Sequence, residues 1–499
     1  MAEFGEIMIH GTFGDKKVRP MARGFYEHIY LHHGIDRITI SIQKVKNNDK
    51  LLLNGQLFAN NGLSNDLELA VGKNTYIAEI QADDGTASQA ELNIFRAYPT
   101  PTWEQILEHA PWCPRDSAGE LVFHNQMWLF GGYVPETVND VWSSYDGVNW
   151  TKHADCPAEN GIDIPVTFIY NEKMYLIGLD NVLWATSDGE KWEEICRNAP
   201  WKDHCHRITG GVFQNKIWLF EAGEKRGIWS SSDGGYTWKE ELKHVPWSMR
   251  DIDSTMLVYD NKVWIIGGSS GRAGSYFPFI AYSDVWCSEN GIHWECVTRK
   301  APWPKRMWQS TFVYKNRMWI AAGYHSEPES RHFGDVWYSI DGKNWREFRQ
   351  HAAEWKPRDL TLEDLTPLSI PAPMWSERHE TSVLVKDDAV YLMGGMEWPL
   401  KNDVWKLKID GFCFLTQPVF ECCTGILYEY YAFADFSDSR LDAKYRLVQA
   451  PENLIVEEDT GRVSGIIETA GNYEIILEAF TDAGETVRQK YNLDIMNQC

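Results

Sequence analysis

One short stretch recurs five times in this chain. VWSSYDGVNW ends at Trp150, LWATSDGEKW at Trp192, VWCSENGIHW at Trp294 and VWYSIDGKNW at Trp345, and the longer IWSSSDGGYTW ends at Trp238. A second, apolar echo precedes each of them and closes on glycine: HNQMWLFGG at Gly132, NEKMYLIG at Gly178, QNKIWLFEAG at Gly223, DNKVWIIGG at Gly268 and KNRMWIAAG at Gly323, with a sixth copy, DDAVYLMGG, at Gly395. The closing tryptophans lie 42 to 56 residues apart. A unit of that length buries its apolar face only against its neighbours, so the period calls for a solenoid, propeller or array.

Each unit reads as four short strands. In the fifth, QSTFVY is an inner strand, the polar KN turn leads to MWIAAG, DVWYS is third, and an Asp-Gly turn feeds an outer strand opened by Trp345. Four antiparallel strands per repeated unit make a β-propeller. The double glycines and spaced aromatics over about residues 103–411 resemble the kelch repeat of galactose-oxidase-like propellers, and SSDGGYTW (231–238) is similar to an Asp-box. The ends set the blade number. Trp103 occupies a closing-Trp position with no strands before it, while the last unit, ending NDVWKLKID at Asp410, lacks its fourth strand. Joining them predicts six blades, closed by the N-terminal outer strand, over residues 99–411.

The flanks alternate in strand fashion without the repeat. Residues 1–98, with GKNTYIAEIQADDG, resemble bacterial cadherin-like β-sandwiches, and residues 412–499 resemble the immunoglobulin-like modules of bacterial multidomain proteins. The expected fold is all-β: sandwich, six-bladed kelch-type propeller, sandwich.

A net charge of -23 argues against nucleic acid and anionic membrane as partners. No apolar run suits a signal-peptide core or a membrane span, and the ten cysteines form no CxxC pair, so the expectation is a cytoplasmic protein with reduced thiols.

The short Asp-Gly turns leave one propeller face plain. The other carries the insertions SSGRAGSYFPFIAYS, YHSEPESRHF and the long crossover ending in PAPMW, an expected wall over the axial funnel near blades 4 to 6. The entry segments APWCPR, VPWSMR, APWPKR and PMWSER bring Arg115, Arg250, Arg306 and Arg378 toward that funnel, with Asp253 and Trp308. Converging arginines suit an anionic ligand, and Trp308 offers an apolar platform. The kelch resemblance implies a structural alternative for them, hydrogen bonds between blades. Tyr324 and His325 complete the candidate ligand set. His206, His379 and Glu380 are the candidates for proton transfer.

Aligned inner strands put Asp116, Asp163, His206 and His379 at equivalent positions, a possible divalent-metal set; no other cofactor is expected. The copper-radical chemistry of galactose oxidase is not supported, because Tyr324-His325-Ser326 follows a strand-2 glycine, in a loop, and the inner-strand start reads Arg378-His379-Glu380. The resemblance leaves room for non-redox isomerase, mutarotase or cyclase chemistry. Three functions remain open: a polar or anionic small molecule or peptide bound in the funnel, a protein-interaction scaffold presenting Tyr276, Phe277 and Phe279, and a metal-dependent enzyme.

Overall fold

The computed structural model describes residues 4–20, 26–45, 49–58, 63–201, 208–221, 227–248, 256–270, 280–326, 329–349 and 368–497. The chain divides into two compact units. One comprises Met1–Thr102, Gln350–Pro373 and Asp410–Cys499, the other Trp103–Arg349 and Met374–Ile409. Among the described residues no helix is long and apolar enough to cross a membrane.

Among the described residues the second unit holds six four-stranded antiparallel sheets. Five take their strands in chain order, beginning at Gly119–Phe123, Val166–Tyr170, Ile208–Phe213, Leu257–Tyr259 and Ser310–Tyr314. The sixth combines Ser382–Lys386, Ala389–Gly395 and Lys401–Lys408 with Trp103–Leu107 from the start of the unit. Trp103 lies opposite Leu407 and Gln105 opposite Trp405 in that pairing. The first and last strands of the unit are thus hydrogen-bonded neighbours.

The repeated decapeptide has a local and a long-range cause. In the first sheet Ser144 Oγ accepts from Gly147 N at 2.8 Å, Asp146 Oδ1 accepts from the Val148 and Asn149 amides, and Trp150 Nε1 donates to Gly147 O at 3.0 Å. Asp341 and Trp345 repeat the arrangement. These bonds satisfy a tight turn whose glycine must adopt positive φ. Gly189 has φ +74, and a Cβ there would stand 2.4 Å from Trp128 in the preceding sheet; Gly342 has the same relation to Trp264, at 2.6 Å. Trp128 and Trp264 therefore pack against the turn glycine of the next sheet, which ties the two repeated sequence signals together.

The other unit draws its strands from both flanks of the chain. Its N-terminal part has a sheet of Gly14–Val18, Phe4–Gly11, Arg37–Lys44 and Leu67–Glu68 facing one that contains Gly72–Gln81 and Ala87–Arg96, with Ile9, Ile40, Ile80 and Ile94 in a common core. The C-terminal strands, among them Gly471–Phe480 and Thr486–Met496, share a second core with Tyr30 and Phe95, so the two flanks form one unit. Leu368–Ile370, the end of the long crossover, pairs in parallel with Ile29–Leu31 of this unit. Part of the expected funnel wall is therefore used as a sheet strand elsewhere. The rest of that crossover, and Tyr276, Phe277 and Phe279, lie outside the described residues.

Candidate functional site

The entry arginines do structural work. Arg378 donates Nη1 to Asp403 Oδ1 at 2.6 Å and Nη2 to Asp403 Oδ2 at 3.0 Å; its Nη1 also reaches Gly394 O and its Nε Ser376 O. Arg115 makes the same set with Asp140, Gly131 O and Cys113 O, and Arg306 with Asp335, Ala322 O and Pro304 O. Each aspartate also accepts a tryptophan indole: Trp142, Trp337 and Trp405. Arg115, Arg306 and Arg378 are only 2%, 0% and 1% exposed. Their guanidiniums are thus engaged within their own blade, which corrects the expectation that they anchor an anionic ligand. The expected bonds between blades are made by their backbones: Arg115 N donates to Lys401 O at 2.9 Å, and Arg378 O accepts from Gly323 N at 2.9 Å. Arg250, Asp253 and His206 lie outside the described residues.

The residue after each entry bridge is the unusual one. Asp116, Met307 and His379 bridge to Tyr133, Tyr324 and Met396, and Ser117, Trp308 and Glu380 follow them with φ of +56, +55 and +51. Non-glycine residues are rare there, and such strain gathers at functional positions. The conformation lines up their peptide groups across sheets. Glu380 N donates to Trp308 O at 3.0 Å, Ser117 N to Glu380 O at 3.2 Å, and Ile164 N (φ +44) to Ser117 O at 2.9 Å. Four sheets are stitched edge to edge by this chain of backbone bonds.

Beside it lies a cavity of about 140 Å³ lined by Ser117, Glu120, Thr167, Trp308, Gln309 and Glu380, with Ile208 and Thr209 of a further sheet opposite. Glu380 joins this wall to a buried aromatic cluster. Its Oε2 is 3.2 Å from His379 Nε2, and His379 Nδ1 is 3.1 Å from His332 Nδ1. His379 stacks on Trp308 with centroids 5.0 Å apart, and Tyr324 packs on both rings. The Nδ1–Nδ1 contact needs one nitrogen protonated and one bare, so the two imidazoles cannot both be cations while it persists. Burial, and the proximity of His379, hold His332 below the usual imidazole range.

Asp116 lies next to this group. Burial first, then the charges of Glu380 and Asp163, push its carboxyl up to about 8, and its Oδ1 is buried without a hydrogen-bond partner among the described residues. Glu120 is also pushed up to about 8 by burial, against the Val383 amide and Ser382 hydroxyl that favour its charge. Two neutral carboxyls near an imidazole-bound Glu380 constitute an acid–base arrangement.

The structure thus brings Trp308, Tyr324, His379, Glu380 and Asp116 together, with Asp163 electrostatically near. His325 lies in the same small hairpin, where Tyr324–His325 pairs with Arg331–His332 in place of the expected loop. Among the described residues no group of three or more His, Cys, Asp or Glu is placed to hold a metal ion. His332, Glu120 and Gln309 were not singled out in the sequence. His332 sits in an insertion with no repeat register, whereas the alternation GELVF carried a usable signal for Glu120, a charge on an inner strand.

An all-β unit of repeated four-stranded sheets, with a carboxyl-rich cavity where their inner strands meet, is a β-propeller. Residues 100–417, more than half of the sequence, match the DUF6242 beta propeller domain, and the chain belongs to that family. No curated protein matches it. The solved structure of YjhT is similar over 61% of this chain and 97% of YjhT, at 12% identity and a TM-score of 0.45.

Proposed function

We propose that this protein is a six-bladed, kelch-type propeller flanked by β-sandwich modules, binding a polar small molecule in the cavity beside Glu380 and acting on it by non-redox acid–base chemistry. The pairing of Trp103–Leu107 with Lys401–Lys408 supports the six-blade closure. One observation carries the functional reading: Glu380 is in the cavity wall, held by His379 on one oxygen, beside an Asp116 kept neutral by its surroundings. Glu380 is the base that meets the ligand. His379 orients it and exchanges its proton, and Trp308 supplies the flat apolar surface.

Native mass spectrometry after incubation with a small-molecule extract of the source cells tests this reading. The protein should retain a ligand that Glu380→Gln binds weakly and that Thr311→Phe excludes by filling the cavity, whose wall Thr311 also lines. Equal retention by all three proteins, or retention by none, would count against it.

A further inference from the structure

We propose that the cavity selects a ligand carrying an ammonium group, recognised by Glu380, Glu120 and the Gln309 side-chain carbonyl; this rests on the small-molecule reading above. The described cavity wall includes Glu120 and Glu380 but no Lys, Arg or His. Arg115, Arg306 and Arg378 are engaged by Asp140, Asp335 and Asp403. Among the described residues, an anion would find two acidic side chains in the wall and no cation.

One buried acceptor in the cavity wall has the same polarity. Gln309 lines the cavity and is only 5% exposed; its Nε2 donates to Ile266 O at 2.9 Å, which fixes the amide, and its Oε1 has no partner among the described residues. That oxygen is an acceptor, and a buried acceptor is costly to leave unmet. The missing component must bring donors, and next to carboxyl groups a charged donor gains most.

Charge linkage separates an ammonium from a neutral polyol, which would also bring donors. Asp116 and Glu120 hold protons up to about pH 8. A cation favours their ionised forms, so its binding expels protons below that pH and tightens as pH rises toward it. A polyol leaves both acids protonated. The other titratable groups facing this cluster are Asp163 beside Asp116, and His379 with His332 behind Glu380.

Calorimetric titration of the whole protein with ethanolamine, ethylene glycol and glycolate, in two buffers of different ionisation enthalpy, tests the proposal. Ethanolamine should bind at least about tenfold tighter than either analogue, a gap of about 1.4 kcal/mol. It should release protons at pH 7, bind more tightly at pH 8.5 than at pH 6.5, and weaken about tenfold in Glu380→Gln and Glu120→Gln. Tighter binding of glycolate, equal binding of ethylene glycol, or no ethanolamine binding overturns it. If the cell extract yields a cavity ligand that is anionic or neutral, only the ammonium class falls; if it yields none, the small-molecule reading falls with it.

Discussion

Arg378 and Asp403 meet through two parallel N–H···O contacts of 2.6 and 3.0 Å inside the sheet that carries His379 and Glu380. The pair also receives the Trp405 indole at 2.8 Å. It is a staple that fixes the site from behind.

Removing one member leaves the other charge buried, so Arg378→Ala should cost about 3–5 kcal/mol and lower Tm by roughly 10 °C. Arg378→Lys should recover little, because an ammonium cannot reproduce the fork. Calorimetry checks both. A variant that loses ligand binding with its Tm unchanged would return Arg378 to the ligand-binding set.

The turn glycines offer a cleaner packing test. Gly189→Ala places a Cβ 2.4 Å from Trp128, whereas Gly14→Ala, at φ +84, meets nothing within 4 Å. Both pay the backbone cost of about 1 kcal/mol, and only the first adds overpacking of about 1–3 kcal/mol. Urea denaturation should resolve that difference; equal losses would mean that the turn does not pack on the tryptophan.

Asp116 and Glu120 set a pH dependence with a definite sign. Each folded-state carboxyl is raised from its ordinary value to about 8, so the folded protein holds protons that the unfolded chain has lost. Their contribution is fully present below about pH 4 and disappears as pH rises to about 8. Asp116→Asn and Glu120→Gln should therefore flatten the decline in Tm between pH 5 and pH 8.5. A decline as steep as in the unchanged protein would show that these carboxyls ionise normally.

In the other unit, Lys73 Nζ contacts Asp494 at 2.8 Å and Glu421 at 3.5 Å. Burial pulls its pKa down, but those two carboxylates outweigh it and leave the ammonium raised. Lys73→Met should cost about 3 kcal/mol by leaving two partly buried carboxylates together, and adding Glu421→Gln should restore much of the loss. A double-mutant cycle with no coupling would contradict this.

The repeat made the propeller legible because its signals answer to backbone turns and blade packing: Gly189, Gly342 and the indole of Trp128 each have one geometric task. Trp103 was legible for the same reason, as a strand missing its unit. The arginine role was not, since a guanidinium facing a funnel and one turned into its own sheet share the motif WxxR. What separates them is the distant Asp140, Asp335 or Asp403. His379 and Glu380 were legible as chemistry-bearing residues at a blade entry, but the cavity depends on positive φ at Ser117, Trp308 and Glu380, which no residue type there announces. The union of the two flanks was hidden because the Tyr30 and Phe95 contacts with the C-terminal core span more than three hundred residues of chain.

The most direct measurement is a crystal structure of the protein after incubation with the extract. The account predicts a bound small molecule in the cavity between Ser117, Trp308 and Gln309, with a polar atom within hydrogen-bond distance of the Glu380 carboxylate. A ligand bound at any other place, with this cavity unchanged, would contradict it.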